Sequence, residues 1–394
     1  MKKLLAMVLA LVMTLSLAVS ASAFKDDKDV SADYAEAVAV LNGMDVFKGY
    51  EDGSFKPQGN ITRAEVATII YRIYTGDVAK NDKSGLYSTY NKFSDMTGAG
   101  WAAGYIGYCA NAELVKGYPD GTFKPSGNVT GYEVLAMILR AVGYDKNGEF
   151  SGADWSLNVA KYAEQLGVLK NVAKTTNLGA PATRELVAEI LFRAIQQPTV
   201  TYTPAFGYVT DKALKLDETT LGKKNFNLDS KDSEDEWGRP STKWYNTKTS
   251  KTYAEVVATP DASYNVATAQ CDICSALGEK TSAKIVETYT NGVKSTAAET
   301  YKATATKAMV GAQGEQIEFY EVKDGYRLVI VDTYLAKVTS VVSEKIDKNN
   351  HVDRDDYTVL EAYVDEGKTE TVYVDGNDYA KDDYVLVNIN EAKA

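Results

Sequence analysis

Two arginines stand where a helix disfavours a cation. Arg63 follows Thr62 in Asn60-Ile61-Thr62-Arg63-Ala64-Glu65, and Arg184 follows Thr183 in Ala182-Thr183-Arg184-Glu185. Thr62 with Glu65 three residues on reads as a capping box opening a helix, which accounts for those two residues and puts the arginine in the first turn. The helix dipole opposes a positive charge there. A guanidinium beside unpaired helix N–H groups makes a two-part anion site, and a carboxylate can take a bidentate pair from it. The competing reading is an exposed ion pair worth ~0–1 kcal/mol. Anion binding is the expectation for both arginines.

Other residues that could do chemistry are few. The single histidine, His351, sits in the polar turn Asp347-Lys348-Asn349-Asn350-His351, which argues against Ser-His-Asp or Cys-His catalysis and excludes a site needing two imidazoles. Cys271 and Cys274 form a lone C-x-x-C, with only Cys109 besides, too few for a zinc ribbon. They read as small buried residues on a helix face, with a local disulfide as the alternative. The acidic cluster Asp229 to Glu236 lacks the spacing of a calcium loop; it reads as a solvated turn, with surface calcium as the other option. No cofactor is expected.

The N-terminus sets the compartment. Lys2 and Lys3, an apolar stretch from Leu4 to Val19 and the small-residue site Ala21-Ser22-Ala23 predict a signal peptide over 1–23 and an exported chain with no membrane span after cleavage. Losing two lysines leaves 41 basic against 54 acidic residues, a net charge of −13. Nucleic acid is therefore not an expected partner, because no basic stripe is present.

An internal repeat positions the arginines. Gly49-Tyr50-Glu51-Asp52-Gly53-Ser54-Phe55-Lys56-Pro57 recurs 68 residues later as Gly117-Tyr118-Pro119-Asp120-Gly121-Thr122-Phe123-Lys124-Pro125. The same offset carries Thr62 onto Thr130, Glu65 onto Glu133 and Arg72 onto Arg140, but Arg63 onto Gly131. Such a repeat is an architectural unit. Each copy reads as helix, Asp-Gly turn, helix, with first helices at 34–44 and 101–114 and second helices at 63–73 and 131–142. A third, decayed copy aligns from its end: Arg184 matches Arg63, Leu186 stands where Glu65 was, and Lys170-Asn171-Val172-Ala173-Lys174 replaces the Gly-Tyr loop.

With the entry Phe93-Ser94-Asp95, Trp101, the Gly-Tyr-x-Asp-Gly loops and Thr62-Arg63-Ala64-Glu65, the chain resembles the S-layer homology family. Copy one enters more weakly at Lys28-Asp29-Val30 with Tyr34, and copy three at Phe150-Ser151 leading to Trp155. The repeats are set at 25–76, 92–145 and 150–197. The resemblance implies three repeats packed as an all-α pseudo-threefold unit. It also implies that the grooves between them hold a secondary cell-wall polysaccharide, often through a pyruvylated sugar. Arg63 and Arg184 are then the first candidates to bind glycan, with Asp95, Trp101 and Trp155 behind them, and the groove that starts at Gly131 loses its charged donor.

After Gln197 the texture changes. Residues 198–206 read as an extended linker, and 207–394 as a mainly β region of one or two small domains, with strand-like runs that include 283–289, 316–322, 326–342, 357–364 and 369–374. The fold class is thus multidomain, a helical unit followed by a mainly β region. The expected function is a non-catalytic cell-wall or S-layer protein that anchors through its helical half and displays the β half, which pairs with other copies of itself in a surface lattice. A wall-anchored enzyme or adhesin is the alternative, since no motif marks a pair of catalytic carboxylates. An outer-membrane β-barrel is the weaker rival.

Overall fold

The structure, a computed structural model, describes residues 24–394 apart from 80–81, 91, 215–219, 266–270, 296–297, 304–308, 312–313, 347–351, 355, 366, 377–378 and 394. The signal peptide and His351 lie outside the described residues. Those described fall into two compact units: 24–232 with 242–256, and 233–241 with 257–394. The order, helices first and sheets after, is the one the sequence predicts.

The first unit carries three helix pairs. They are α1 (Ala32–Gly43) with α2 (Arg63–Thr75), α3 (Ala103–Asn111) with α4 (Gly131–Val142), and α5 (Trp155–Gln165) with α6 (Arg184–Ile195). Complete capping boxes open α2 and α4, whereas α6 keeps only the threonine half, Thr183 accepting from the Leu186 N–H. The residues just before these helices are tied into a closed cycle. The Ile61 N–H donates to the Ala182 carbonyl (3.3 Å), the Ala182 N–H to Val129 (2.8 Å) and the Val129 N–H to Ile61 (3.0 Å). All three side chains are buried in the same apolar core as Phe47, Phe55, Phe123 and Phe192. Three short arms thus satisfy one another's backbone groups where water is excluded.

The Asp-Gly turns take the positive φ that glycine allows, 78° at Gly53 and 79° at Gly121. Gly117 answers a second demand. A Cβ there would lie 2.6 Å from the ring of Phe93, the aromatic that enters the repeat. Asp95 closes the loop from the other side, its carboxylate accepting the N–H groups of Phe123 (2.8 Å) and Lys124 (2.7 Å).

That geometry corrects the entry of copy one. Phe24 and Asp26 hold the equivalent places, not Lys28-Asp29-Val30: Asp26 accepts from the N–H groups of Phe55 (2.7 Å) and Lys56 (2.8 Å), and the Phe24 and Phe55 rings lie 5.1 Å apart. The entry is one residue further from its loop than the offset of 68 requires, and Phe24 abuts the expected cleavage site.

The helical unit also runs past the expected boundary at 197. Residues 198–206 are not a free linker, for Val200–Thr203 pairs antiparallel with Gly207–Thr210, and Tyr208 packs on Tyr144 while its hydroxyl donates to Glu149 (2.8 Å). A further helix, α7 (Leu221–Phe226), carries Asn225, whose amide donates to the carbonyls of Ile73 and Tyr74 at the free end of α2. Trp244 reaches back to Glu36 through its indole N–H (3.0 Å).

In the second unit a six-stranded sheet is built from strands at 262–265, 282–290, 293–295, 299–302, 315–322 and 325–332, with 325–332 parallel to 282–290. A four-stranded antiparallel sheet follows, ordered 368–375, 357–365, 334–342, 384–387. The run 326–342, read as continuous, breaks near Thr333, and its halves join different sheets. Cys109 and Cys274 are buried free thiols. The acidic cluster is no solvated turn. Leu228–Glu234 is a strand, Glu234 pairs with Arg327 (2.6 Å), and Asp235 accepts from the N–H groups of Trp237 and Arg239.

Replacing Asp26 by alanine strands two buried-edge N–H donors. We expect Asp26→Ala to lower unfolding free energy by ~1–3 kcal/mol, read by denaturant titration, while Asp29→Ala changes it little. The reverse order would restore the entry at Lys28-Asp29-Val30.

Candidate functional site

Arg63 is 3% exposed, and its guanidinium leaves its own repeat for the next one. Its Nε donates to the Phe123 carbonyl (2.7 Å), Nη2 to the Lys116 carbonyl (3.1 Å) and Nη1 to Glu133 (2.9 Å). The rings of Tyr118 and Phe123 lie 4.7 and 4.6 Å from the guanidinium carbon, within range of a cation–π attraction. Tyr118 also donates its hydroxyl to Glu133 (2.7 Å). Burial, with the Glu133 carboxylate added, pushes that phenol up to about 12.

Arg184 repeats the arrangement from copy three into copy one. It donates to the carbonyls of Phe55 (2.6 Å) and Lys48 (3.0 Å), faces Glu65 at 3.5 Å, and lies over the rings of Phe47, Tyr50 and Phe55. Burial pushes its pKa down, opposed by Tyr50 and Glu65. So each arginine docks in the Gly-Tyr loop, and against the capping glutamate, of a different repeat.

Copy two would have to dock in copy three. There the loop has no Tyr or Phe, Leu186 replaces the glutamate, and Gly131 replaces the arginine. A Cβ on Gly131 would lie 2.8 Å from Leu178 Cδ2 and 3.2 Å from its Cα. Leu178 accepts the Tyr132 N–H through its carbonyl (3.1 Å). The arginine is missing where its acceptors are missing.

The expected helix-start anion site is corrected on one point. The first N–H groups of α2 are not free, since Arg63 donates to the Gly127 carbonyl (2.9 Å) and Ala64 to Pro125 (3.0 Å). Those of α6 are likewise held, Arg184 by Gly59 (2.9 Å) and Glu185 by Pro57 (3.1 Å). Whatever anion Arg63 meets must approach the guanidinium from the side, through a groove.

Such a groove exists at this junction, with a volume of about 320 Å³. Arg63 lies at its base, Lys116 to Pro119 and Glu133 to Arg140 form two walls, and Phe150 to Gly152 with Trp155 form the third. Three cations face one carboxylate, so the groove is positive within an acidic chain. Of the sequence candidates it unites Arg63 and Trp155. Arg184 sits in its own junction, Asp95 spends its carboxylate on the loop backbone, and Trp101, 66% exposed, does not line the groove.

Sequence reasoning missed Lys116, Glu133 as a partner of Arg63, and Arg140. The glutamates were absorbed by the capping box and so looked fully explained. The repeat of Arg72 at Arg140 was the available signal. Arg140 is held by Asp145 (2.7 Å), which also takes Lys116 (2.8 Å) and the Phe150 N–H (2.8 Å). Burial alone would raise the Asp145 carboxyl, but these three donors overcome it and hold it below the usual carboxylate range. Among the described residues no group of three or more His, Cys, Asp or Glu side chains is placed to hold a metal ion.

This fold of linked helix pairs belongs to a known class of repeat. The sequence model of the S-layer homology domain matches residues 23–67 and 92–135, so the chain carries S-layer homology domains. It is 29% identical over 201 residues to the Middle cell wall protein of Brevibacillus brevis, covering 50% of this chain and 18% of that one. It is 28% identical over 224 residues to the Surface layer protein of Brevibacillus choshinensis, covering 56% and 19%. Against the Cellulosome-anchoring protein of Acetivibrio thermocellus it is 36% identical over 134 residues, covering 34% and 28%. The chain thus spans less than a third of the length of these relatives.

Two measurements test the docking scheme. Arg63→Ala should cost on the order of 3 kcal/mol in unfolding free energy, because it leaves the Glu133 side of a buried pair uncompensated, whereas Gly131→Ala should cost only about 1 kcal/mol by crowding Leu178. Asp145 has a lowered folded pKa, so its contribution is present above the unfolded value near 4 and is lost as pH falls through the folded value. Asp145→Asn should therefore be less stable than wild type at pH 7 and should lose part of the acid-side slope in a pH series of denaturant titrations.

Proposed function

We propose that this is a non-catalytic protein of the cell wall or surface layer, anchored by its helical unit to a secondary cell-wall polysaccharide. The unit acts as a pseudo-threefold assembly of three S-layer homology repeats, the third degenerate, closed by the cycle through Ile61, Val129 and Ala182. The ligand is an anionic glycan, such as one bearing a pyruvate ketal, and the β-rich unit is displayed from the anchor.

The observation that carries the reading is the groove beside Arg63. Arg63, Lys116 and Arg140 supply a positive floor and wall, and Trp155 supplies an aromatic face on which a sugar ring can stack. An acid group on the sugar would take charge-assisted hydrogen bonds from the cations while its apolar face covers the indole. The junction around Arg184 is the second groove, and the junction at Gly131, filled by Leu178, holds no glycan. Asp95 acts on the ligand only through the loop it braces, and Trp101 offers a peripheral face. Relatives named for the surface layer and for anchoring support the placement at the cell wall. Association of the displayed unit with other copies of the chain in a surface lattice belongs to the same reading.

Binding of the full mature chain to purified cell-wall sacculi tests it. Trp155→Ala should weaken binding roughly tenfold, about 1.4 kcal/mol, with the fold retained by circular dichroism. Wild-type binding by a folded Trp155→Ala would remove the groove from the account.

A further inference from the structure

A second cavity of about 250 Å³ adjoins the groove, and the two share Lys116 and Arg140. Its walls carry four cations, Lys92, Lys116, Arg140 and Lys146, against two carboxylates, Glu113 and Asp145. Asp145 is already committed, one oxygen taking both Lys116 (2.8 Å) and Arg140 (2.7 Å), the other the Phe150 N–H. Lys92 donates to the carbonyl of Ala110 (3.3 Å), and among the described residues Lys146 makes no ion pair. Two positive charges are therefore uncompensated around one hollow, in a chain whose formal net charge is −11. Like charges gathered at one site destabilise one another unless an anion joins them.

We propose that this cavity is a second anionic subsite, continuous with the groove, and that the protein reads two neighbouring acid groups of one polymer rather than a single charged sugar. The inference rests on the glycan-binding reading of the groove. With one sugar on Trp155 and its acid group toward Arg63, the next residue of the polymer passes Lys116 and Arg140 and presents its carboxylate or phosphate to Lys92 and Lys146. The backbone on the Lys146 side is fixed by the Lys146 N–H donating to the Tyr208 hydroxyl (2.7 Å), while Glu113, in the left-handed region at φ 59°, ends the opposite wall. The ligand class is thus a polyanionic glycan with acid groups on adjacent residues. Each exposed lysine adds little singly, and the pair acts because the polymer is already held next door.

The test compares full-length wild type, the double variant Lys92→Gln/Lys146→Gln and Trp155→Ala, each binding purified cell-wall sacculi across a sodium chloride series. Both lysines are exposed, so the double variant should unfold as wild type does. It should bind roughly five- to tenfold more weakly and show a shallower fall of affinity with salt, since two charge contacts are gone. Trp155→Ala should lose affinity with its salt dependence unchanged. A double variant with wild-type affinity and salt slope, alongside a weakened Trp155→Ala, overturns the subsite and leaves the groove standing. Full binding by both variants overturns the groove, and the subsite with it.

Discussion

A guanidinium withdrawn from water needs acceptors in the fixed directions of its fork, and each one missing costs more than a made bond returns. Arg63 and Arg184 meet that demand with two carbonyls and one carboxylate apiece, none of them in the arginine's own repeat. The rest of the helical unit follows from this. The loop must hold its carbonyls pointing inward, which Asp26 and Asp95 arrange by taking the N–H groups of the next residues. Glycine must stand at 117 so that Phe93 can slide beneath, and the capping glutamate must serve two masters, its own helix start and the neighbour's arginine.

The same constraint explains why the repeats decay together. Three things are absent at the junction of copies two and three: the arginine, the tyrosine-bearing loop and the glutamate. Loss of any one would leave a buried charge or a buried donor unmet, so a junction keeps the set or drops it whole. Copy three drops the receiving parts and copy two drops the arginine, replaced by the one residue small enough to admit Leu178. What reads along the chain as two independent lapses is a single lapse at one contact.

That contact is also where the sequence stops being legible. Helix starts, Asp-Gly turns and the order of helical and β regions rest on local patterns, capping pairs and hydrophobic periods, and those were readable. The target of Arg63 lies 60 to 70 residues away and is visible only once the repeats are closed on one another. The entry at Phe24 was hidden by a one-residue shift and by its nearness to the expected cleavage site. Residues 198–256 look like linker and strand because nothing local says that Tyr208, Asn225 and Trp244 return to the helices. In the β unit, Arg327 plays a part like that of Arg63. It joins Glu234, Glu287 and the Gly238 carbonyl, and so turned an apparent acidic loop into a clamped strand end.

A side chain that holds the fold and also floors a groove cannot report on binding by its own removal. Arg63 supplies three hydrogen bonds to the protein before any ligand arrives, so its loss would disturb the groove walls at Lys116 and Glu133 as well as the charge within it. The arrangement still favours binding, because a guanidinium already fixed in place gives up no rotamer freedom when an anion docks. Information about the ligand must come instead from residues that line the cavity without bracing it. Trp155 has a face on the groove, and Lys92 and Lys146 lie exposed at its extension. Their side chains can change while the docked arginine, and the junction it closes, stay as they are.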